Sequence, residues 1–169
     1  NPSIGGPAKG VVVREIDALG GQMGVTTDNT HIQMKMLNTA KGPGVQCLRA
    51  QIDKLKYPKF MQDVLLNEPN VTVLETMIKK LIVKDGVCYG VIDENNNEIT
   101  SSCVILTTGT YLESTILVGH DVTVSGPFGQ RAALGLSPYL EELGFKIFRL
   151  KTGTPARVKA GSIDFTKGE

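Results

Sequence analysis

The chain has 169 residues, of which 41% are hydrophobic and 21% charged, with a formal net charge of +1. That balance gives enough apolar material for a real core and excludes disordered and collagen-like classes. A charge so close to zero excludes a global field drawing the chain onto nucleic acid, so any RNA contact has to come from a local patch.

The first ten residues, Asn-Pro-Ser-Ile-Gly-Gly-Pro-Ala-Lys-Gly, read as a glycine-rich loop. They lack an initiator Met and the charged start and apolar run of a signal peptide, and the chain reads as cut from something longer. Val12, Ile16 and Leu19 recur at helical spacing and predict a helix over 11–19, stopped by Gly20 and Gly21. The stretch 23–36, rich in Thr and Met, reads as irregular with room for a short helix. Lys41-Gly42-Pro43-Gly44 is a turn. A helix is expected over 45–56, with Val45, Leu48, Ile52 and Leu55 as its apolar stripe and Arg49, Asp53 and Lys56 along one flank. Pro58 interrupts it, helix resumes over 59–66, and Pro69-Asn70 ends it.

The period then changes to two. A strand is expected over 71–75, followed by a meander of strands at 79–84, 87–93 and 98–107, with hairpin turns at Asp85-Gly86 and Asn95-Asn96-Asn97. The last strand ends in Val104-Ile105-Leu106-Thr107-Thr108-Gly109. A loop (119–129), a short helix (137–143) capped by Gly144, a strand (146–150) and a turn-rich segment (151–157) complete the chain. No stretch approaches the roughly 18 consecutive apolar residues of a membrane span.

A meander feeding a buried strand that ends in small residues is an arrangement used by two-dinucleotide-binding flavoproteins. Small residues there let the backbone approach a cofactor. Thr107, Thr108, Gly109 and Thr110 hold that place, although a strand-end turn needing a glycine gives the same pattern. The opening loop, 3–9, precedes a helix N-terminus and suits an anion or a polar ring edge as well as it suits a plain connection. It is not a Walker loop, and no Gly-x-Gly-x-x-Gly occurs in the chain. Basic residues fall into two groups. Lys41, Arg49, Lys54, Lys56 and Lys59 read best as a solvated face, with Asp53 placed to pair with Arg49. Arg149, Lys151 and Arg157 lie around the turn Thr152-Gly153-Thr154-Pro155, a less usual place for idle charge. Cys47, Cys88 and Cys103 fit no zinc or redox spacing and read as packing residues in a reducing compartment, the cytoplasm. His31 and His120 are too isolated to suggest a metal site. No catalytic set can be assembled.

Several segments, taken jointly, resemble the MnmG (GidA) family: Asn1-Pro2-Ser3-Ile4-Gly5-Gly6, Arg14-Glu15-Ile16-Asp17-Ala18-Leu19-Gly20-Gly21, Met36-Leu37-Asn38-Thr39 and Lys41-Gly42-Pro43. Leu48-Arg49-Ala50-Gln51-Ile52-Asp53-Lys54, Leu106-Thr107-Thr108-Gly109-Thr110-Tyr111-Leu112 and Arg149-Leu150-Lys151-Thr152-Gly153-Thr154-Pro155 complete the resemblance, in family order. It implies an α/β fold: part of an FAD-binding Rossmann-like domain, 1–169, with an antiparallel meander inserted over 71–103. It implies an enzyme that works with an MnmE-type GTPase to place a carboxymethylaminomethyl-type group on C5 of the wobble uridine of tRNA. FAD serves as redox carrier, NADH as reductant and methylenetetrahydrofolate as one-carbon donor, and the full-length enzyme is expected to be a homodimer. Cofactor contacts are implied at Ser3, Ile4, Gly5, Gly6, Ile78, Thr108, Gly109, Thr110 and Tyr111, while the two basic groups make Lys41, Arg49, Arg149, Lys151 and Arg157 the expected RNA contacts. The family's glycine-rich fingerprint and a cysteine are expected upstream of Asn1, and a second cysteine and a helical region beyond Glu169. The isolated chain is therefore expected to bind FAD weakly or not at all. Ala133 and Ala156 depart from the family's usual serine and proline, and the loop 125–131 also differs. A folate- and FAD-dependent tRNA uridine methyltransferase, or a non-catalytic domain binding RNA or a partner, are the competing readings.

Overall fold

The computed structural model describes residues 2–153 and 158–167. The chain divides into two compact units, one made of 1–73 with 154–169 and the other of 74–153.

The first unit is built on a three-stranded antiparallel sheet in which β3 (Cys47–Ile52) lies between β1 (Ser3–Gly5) and β2 (His31–Leu37). β3 replaces the expected helix over 45–56. Its apolar residues satisfy helical spacing, but Leu48, Ala50 and Ile52 also alternate, and pairing on both sides decides in favour of the strand. Ala50 and Ile52 are buried. The stretch 23–36 is likewise ordered, as α2 (Gln22–Thr30) followed directly by β2.

The first helix, α1 (Lys9–Ala18), ends as its glycines require. Gly20, at φ +84°, donates to the Asp17 carbonyl and Gly21 to the Ile16 carbonyl, both at 2.9 Å. This closes a Schellman turn. α2 then packs tightly on α1: a side chain at Gly24 would meet the Asp17 carboxylate at 2.5 Å. α2 buries threonines, not aliphatic residues. Thr27 and Thr30 donate to the carbonyls four residues back, and Thr26 accepts from Gln22 and donates to the Met61 sulfur. Each buried hydroxyl is thus satisfied, and the last contact ties α2 to α3 (Lys56–Leu66). Pro58 falls in the first turn of α3, where its missing N–H costs nothing. Asp53 starts this helix by accepting from the Leu55 and Lys56 amides at 2.8 and 3.0 Å. It therefore does not make the expected pair with Arg49. Those amides, Lys56 first, hold its carboxyl below the ordinary value.

The second unit holds the expected meander, β4 (Ile78–Lys84), β5 (Val87–Asp93) and β6 (Glu98–Thr100), paired in that order. Gly90 sits opposite the irregularity between Ile82 and Val83 at φ +145°, and a side chain there would overlap the Ile99 carbonyl oxygen. The second turn is organised by buried Asp93, which accepts from the Asn95 and Asn97 amides, the Asn97 side chain and the Thr76 hydroxyl. Its hydrogen bonds, those from Asn97 foremost, lower its pKa.

Two expected strands, and all but the first three residues of the one expected over 98–107, do not form. Residues 71–75, 101–107 and 146–150 have no ladder partner among the described residues. Apolar runs alone do not make strands, and here Ile105, Phe148 and Leu150 stand largely exposed. The expected loop 119–129 instead carries the turn and second strand of a hairpin, β7 (Thr115–Val118) and β8 (Asp121–Val124), turned at Gly119-His120 with Gly119 at φ +61°. Helix α4 (Leu136–Glu142) packs on β4 and buries Leu136 and Leu140. Gly144 and Phe145 close its end, donating to the Glu141 and Leu140 carbonyls.

Candidate functional site

The cofactor-facing residues suggested by the sequence fall in both units. In the first, Ser3, Ile4 and Gly5 form β1, paired with Gln51, Ala50 and Arg49. Gly5 and Gly6 have φ of +91° and +99°. The buried Gly6 amide donates to the Leu48 carbonyl at 3.0 Å, and a side chain at Gly5 would overlap that same oxygen. These glycines are therefore required by the turn from β1 into α1, whatever else they serve. Behind β1 lies a cavity of about 160 Å³ lined by Ile4, Gly5, Arg14, Asp17, Asp28 and Ala50, among others. It carries charge of both signs at an apolar floor.

In the second unit, Ile78 opens β4 opposite Asp93. Thr108–Tyr111 form a turn in which the Tyr111 amide donates to the Thr108 carbonyl at 3.4 Å. Gly109, at φ +59°, has open space where a side chain would stand. The segment is anchored on Ala133, whose amide donates to the Tyr111 carbonyl and whose carbonyl accepts from Glu113, both at 2.8 Å. The Tyr111 hydroxyl donates to Gln130 at 2.6 Å. The hydroxyls of Thr108 and Thr110 have no partner among the described residues. Open backbone beside unused hydroxyls suits the approach of a flat polar ring or a phosphate.

The expected RNA contacts differ in how committed they already are. Arg149 donates to the Glu113 carbonyl at 3.0 Å and to the Thr115 hydroxyl at 3.4 Å, so it braces the start of β7. Lys41 ends a short helical turn, Thr39–Lys41, and is exposed, as is Lys151. Arg157 lies outside the described residues. Arg49 sits on the central strand, where its guanidinium donates to the Ser3 hydroxyl at 3.3 Å.

Cys47 is buried, Cys88 is half-buried with its thiol directed to the Gly90 carbonyl, and Cys103 is exposed rather than packed in a strand. Among the described residues no group of His, Cys, Asp or Glu could hold a metal ion. The pair missed in the sequence is Arg131 with Glu94, joined by two hydrogen bonds of 2.6 and 3.3 Å. Their separation of 37 positions leaves no local signal.

All 169 residues match the family model for glucose inhibited division protein A. The chain belongs to this family. Among GidA relatives, it is 59% identical to the tRNA uridine 5-carboxymethylaminomethyl modification enzyme MnmG of Acholeplasma laidlawii, over 99% of this chain and 27% of the relative. It is 54% identical to MnmG of Bacillus subtilis, over 100% of this chain and again 27% of the relative. The chain thus spans about a quarter of the length of these GidA relatives. Structurally it resembles GidA of Aquifex aeolicus, with a TM-score of 0.89 at 44% identity over 98% of this chain and 28% of that one. A second crystal form of the same protein gives 0.90. The mixed α/β class, with an antiparallel meander, stands.

Proposed function

We propose that this chain is part of an FAD-dependent enzyme that adds a carboxymethylaminomethyl-type group to C5 of the wobble uridine in tRNA. The supporting observation is identity of 54–59% along the whole chain to relatives named as tRNA uridine 5-carboxymethylaminomethyl modification enzymes. On this reading, 1–169 is one part of an FAD-binding domain and 71–103 an insertion within it. In the first unit Ser3–Gly6 are the proposed cofactor contacts; in the second, taken by itself, they are Ile78 and Thr108–Tyr111, where the open backbone at Gly109 would admit the cofactor closely and the Thr108 and Thr110 hydroxyls would bond its polar edge. When bound, the flavin supplies electron transfer. The chain's own residues supply shape, hydrogen bonds and charge, and no catalytic residue is assigned within it. NADH as reductant, methylenetetrahydrofolate as one-carbon donor, an MnmE-type GTPase as partner, a homodimeric state and a cytoplasmic location belong to the same reading. The described residues contain no helix long and apolar enough to cross a membrane.

The test is mass spectrometry of tRNA nucleosides from cells lacking the gene. C5-aminomethyl-type uridines are expected to vanish and to return with the restored gene. If they persist with no redundant enzyme present, the substrate assignment fails and the methyltransferase or binding readings take its place.

A further inference from the structure

The register of the first sheet places Lys35 directly opposite Arg49, and Gln33 opposite Gln51, on one face of neighbouring strands β2 and β3. Ser3, paired with Gln51 from the other side, joins them. The opposite face, with Ile4, Met34 and Ala50, lines the cavity beside α1 and α2. One side of this sheet is thus apolar and covered by helices, while the other presents two cations, two amides and a hydroxyl.

Cations placed directly across a ladder repel, with Cβ atoms about 4.5–5.5 Å apart, and such pairs lower stability. Here nothing offsets the cost: among the described residues neither Lys35 nor Arg49 has a carboxylate partner, and Arg49 bonds only the neutral Ser3 hydroxyl. The unit that carries this face is also the basic one. Its sequence holds eleven Lys and Arg against eight Asp and Glu, whereas the other unit holds seven against nine. An unneutralised pair of cations flanked by amides suits phosphate oxygens, with the amides free for sugar or base edges.

We propose that the face formed by Gln33, Lys35, Arg49 and Gln51 binds backbone phosphates of the tRNA substrate, a role that rests on the tRNA-modifying reading above. A dinucleotide pyrophosphate is the lesser match, because such groups favour a helix N-terminus with glycine amides over an open sheet face. With no aromatic side chain among the four, contact to phosphate outweighs base stacking, and binding depends little on sequence.

The test uses the full-length protein, titrated with an anticodon stem-loop RNA over a series of salt concentrations and, separately, with FAD. Lys35→Gln combined with Arg49→Gln is expected to weaken RNA binding about tenfold and to reduce the slope of log affinity against log salt by about 1.4, roughly 0.7 for each lost single-strand contact. The melting temperature is expected not to fall, because the facing like charges are gone, and FAD binding is expected to persist. Lys35→Gln alone, at an exposed position, gives half the slope change should the double variant fold poorly, and Lys35→Arg restores it. Unchanged RNA affinity and slope in a folded variant overturn the proposal. So does lost FAD binding with RNA binding intact, which hands the cations to the cofactor. If the unaltered protein binds no RNA, the tRNA reading itself has failed. If it binds and the variants match it, only the face has been misassigned.

Discussion

At the scale of single residues, two positions carry the second unit's meander. Gly90 is confined by the Ile99 carbonyl and by a φ that side chains avoid. Gly90→Ala is expected to cost about 1–3 kcal/mol, the range for a residue forced into a sparsely populated conformation; a denaturant midpoint equal to that of the parent would show that the ladder gives way easily. Asp93 works through charge. Its carboxylate is held by four donors and its pKa lies below the ordinary value, near 3.9 when unfolded. The stability it contributes is therefore fully present above that unfolded value and is lost as pH falls through the lower native one. Asp93→Asn is expected to be less stable at neutral pH and less sensitive to acid below about pH 4. Parallel melting curves at pH 7 and pH 3 check this, and an unchanged acid dependence would remove Asp93 from the account.

At the scale of elements, the termination signals were the most readable feature of the sequence. Gly20-Gly21 and Gly144 end α1 and α4 with the same pair of backbone bonds. Gly144→Ala places a side chain at φ +89° and is expected to cost about 1–2 kcal/mol. Amide exchange in α4 should accelerate accordingly, and unaltered protection would argue that the cap is dispensable. The hairpins at Asp85-Gly86 and 95–97 were equally legible, because their signal is local. What escaped was long-range. The residues 45–56 satisfy helical spacing, and only their partners, β2 ten to twenty-one positions upstream and β1 more than forty, make 47–52 a strand. The runs 101–107 and 146–150 carry strand composition, but no described strand pairs with them. At the candidate site, the glycines and threonines were visible in sequence, whereas the opposition of Lys35 and Arg49 depends on a register that no spacing reveals.

At the scale of the molecule, the near-zero net charge conceals an excess of basic residues in one unit and of acidic residues in the other. If this chain contacts tRNA as proposed, its own long-range attraction is modest and its share of binding rests on few contacts. The salt dependence of RNA binding should therefore be shallow, and a slope corresponding to ten or so phosphates would point to a much larger surface. The separated chain is expected to bind FAD weakly or not at all, so a tight stoichiometric FAD titration would overturn that expectation. Gly90 has a consequence for descent as well. The meander's geometry disfavours any side chain there, independently of any cofactor or substrate. A lineage could exchange its chemistry entirely and still keep this glycine, provided it kept the ladder. Identity at position 90 among relatives thus records shared architecture and says nothing about shared activity, whereas, on the proposed tRNA face, divergence at 35 or 49 would be the earlier sign of a different substrate.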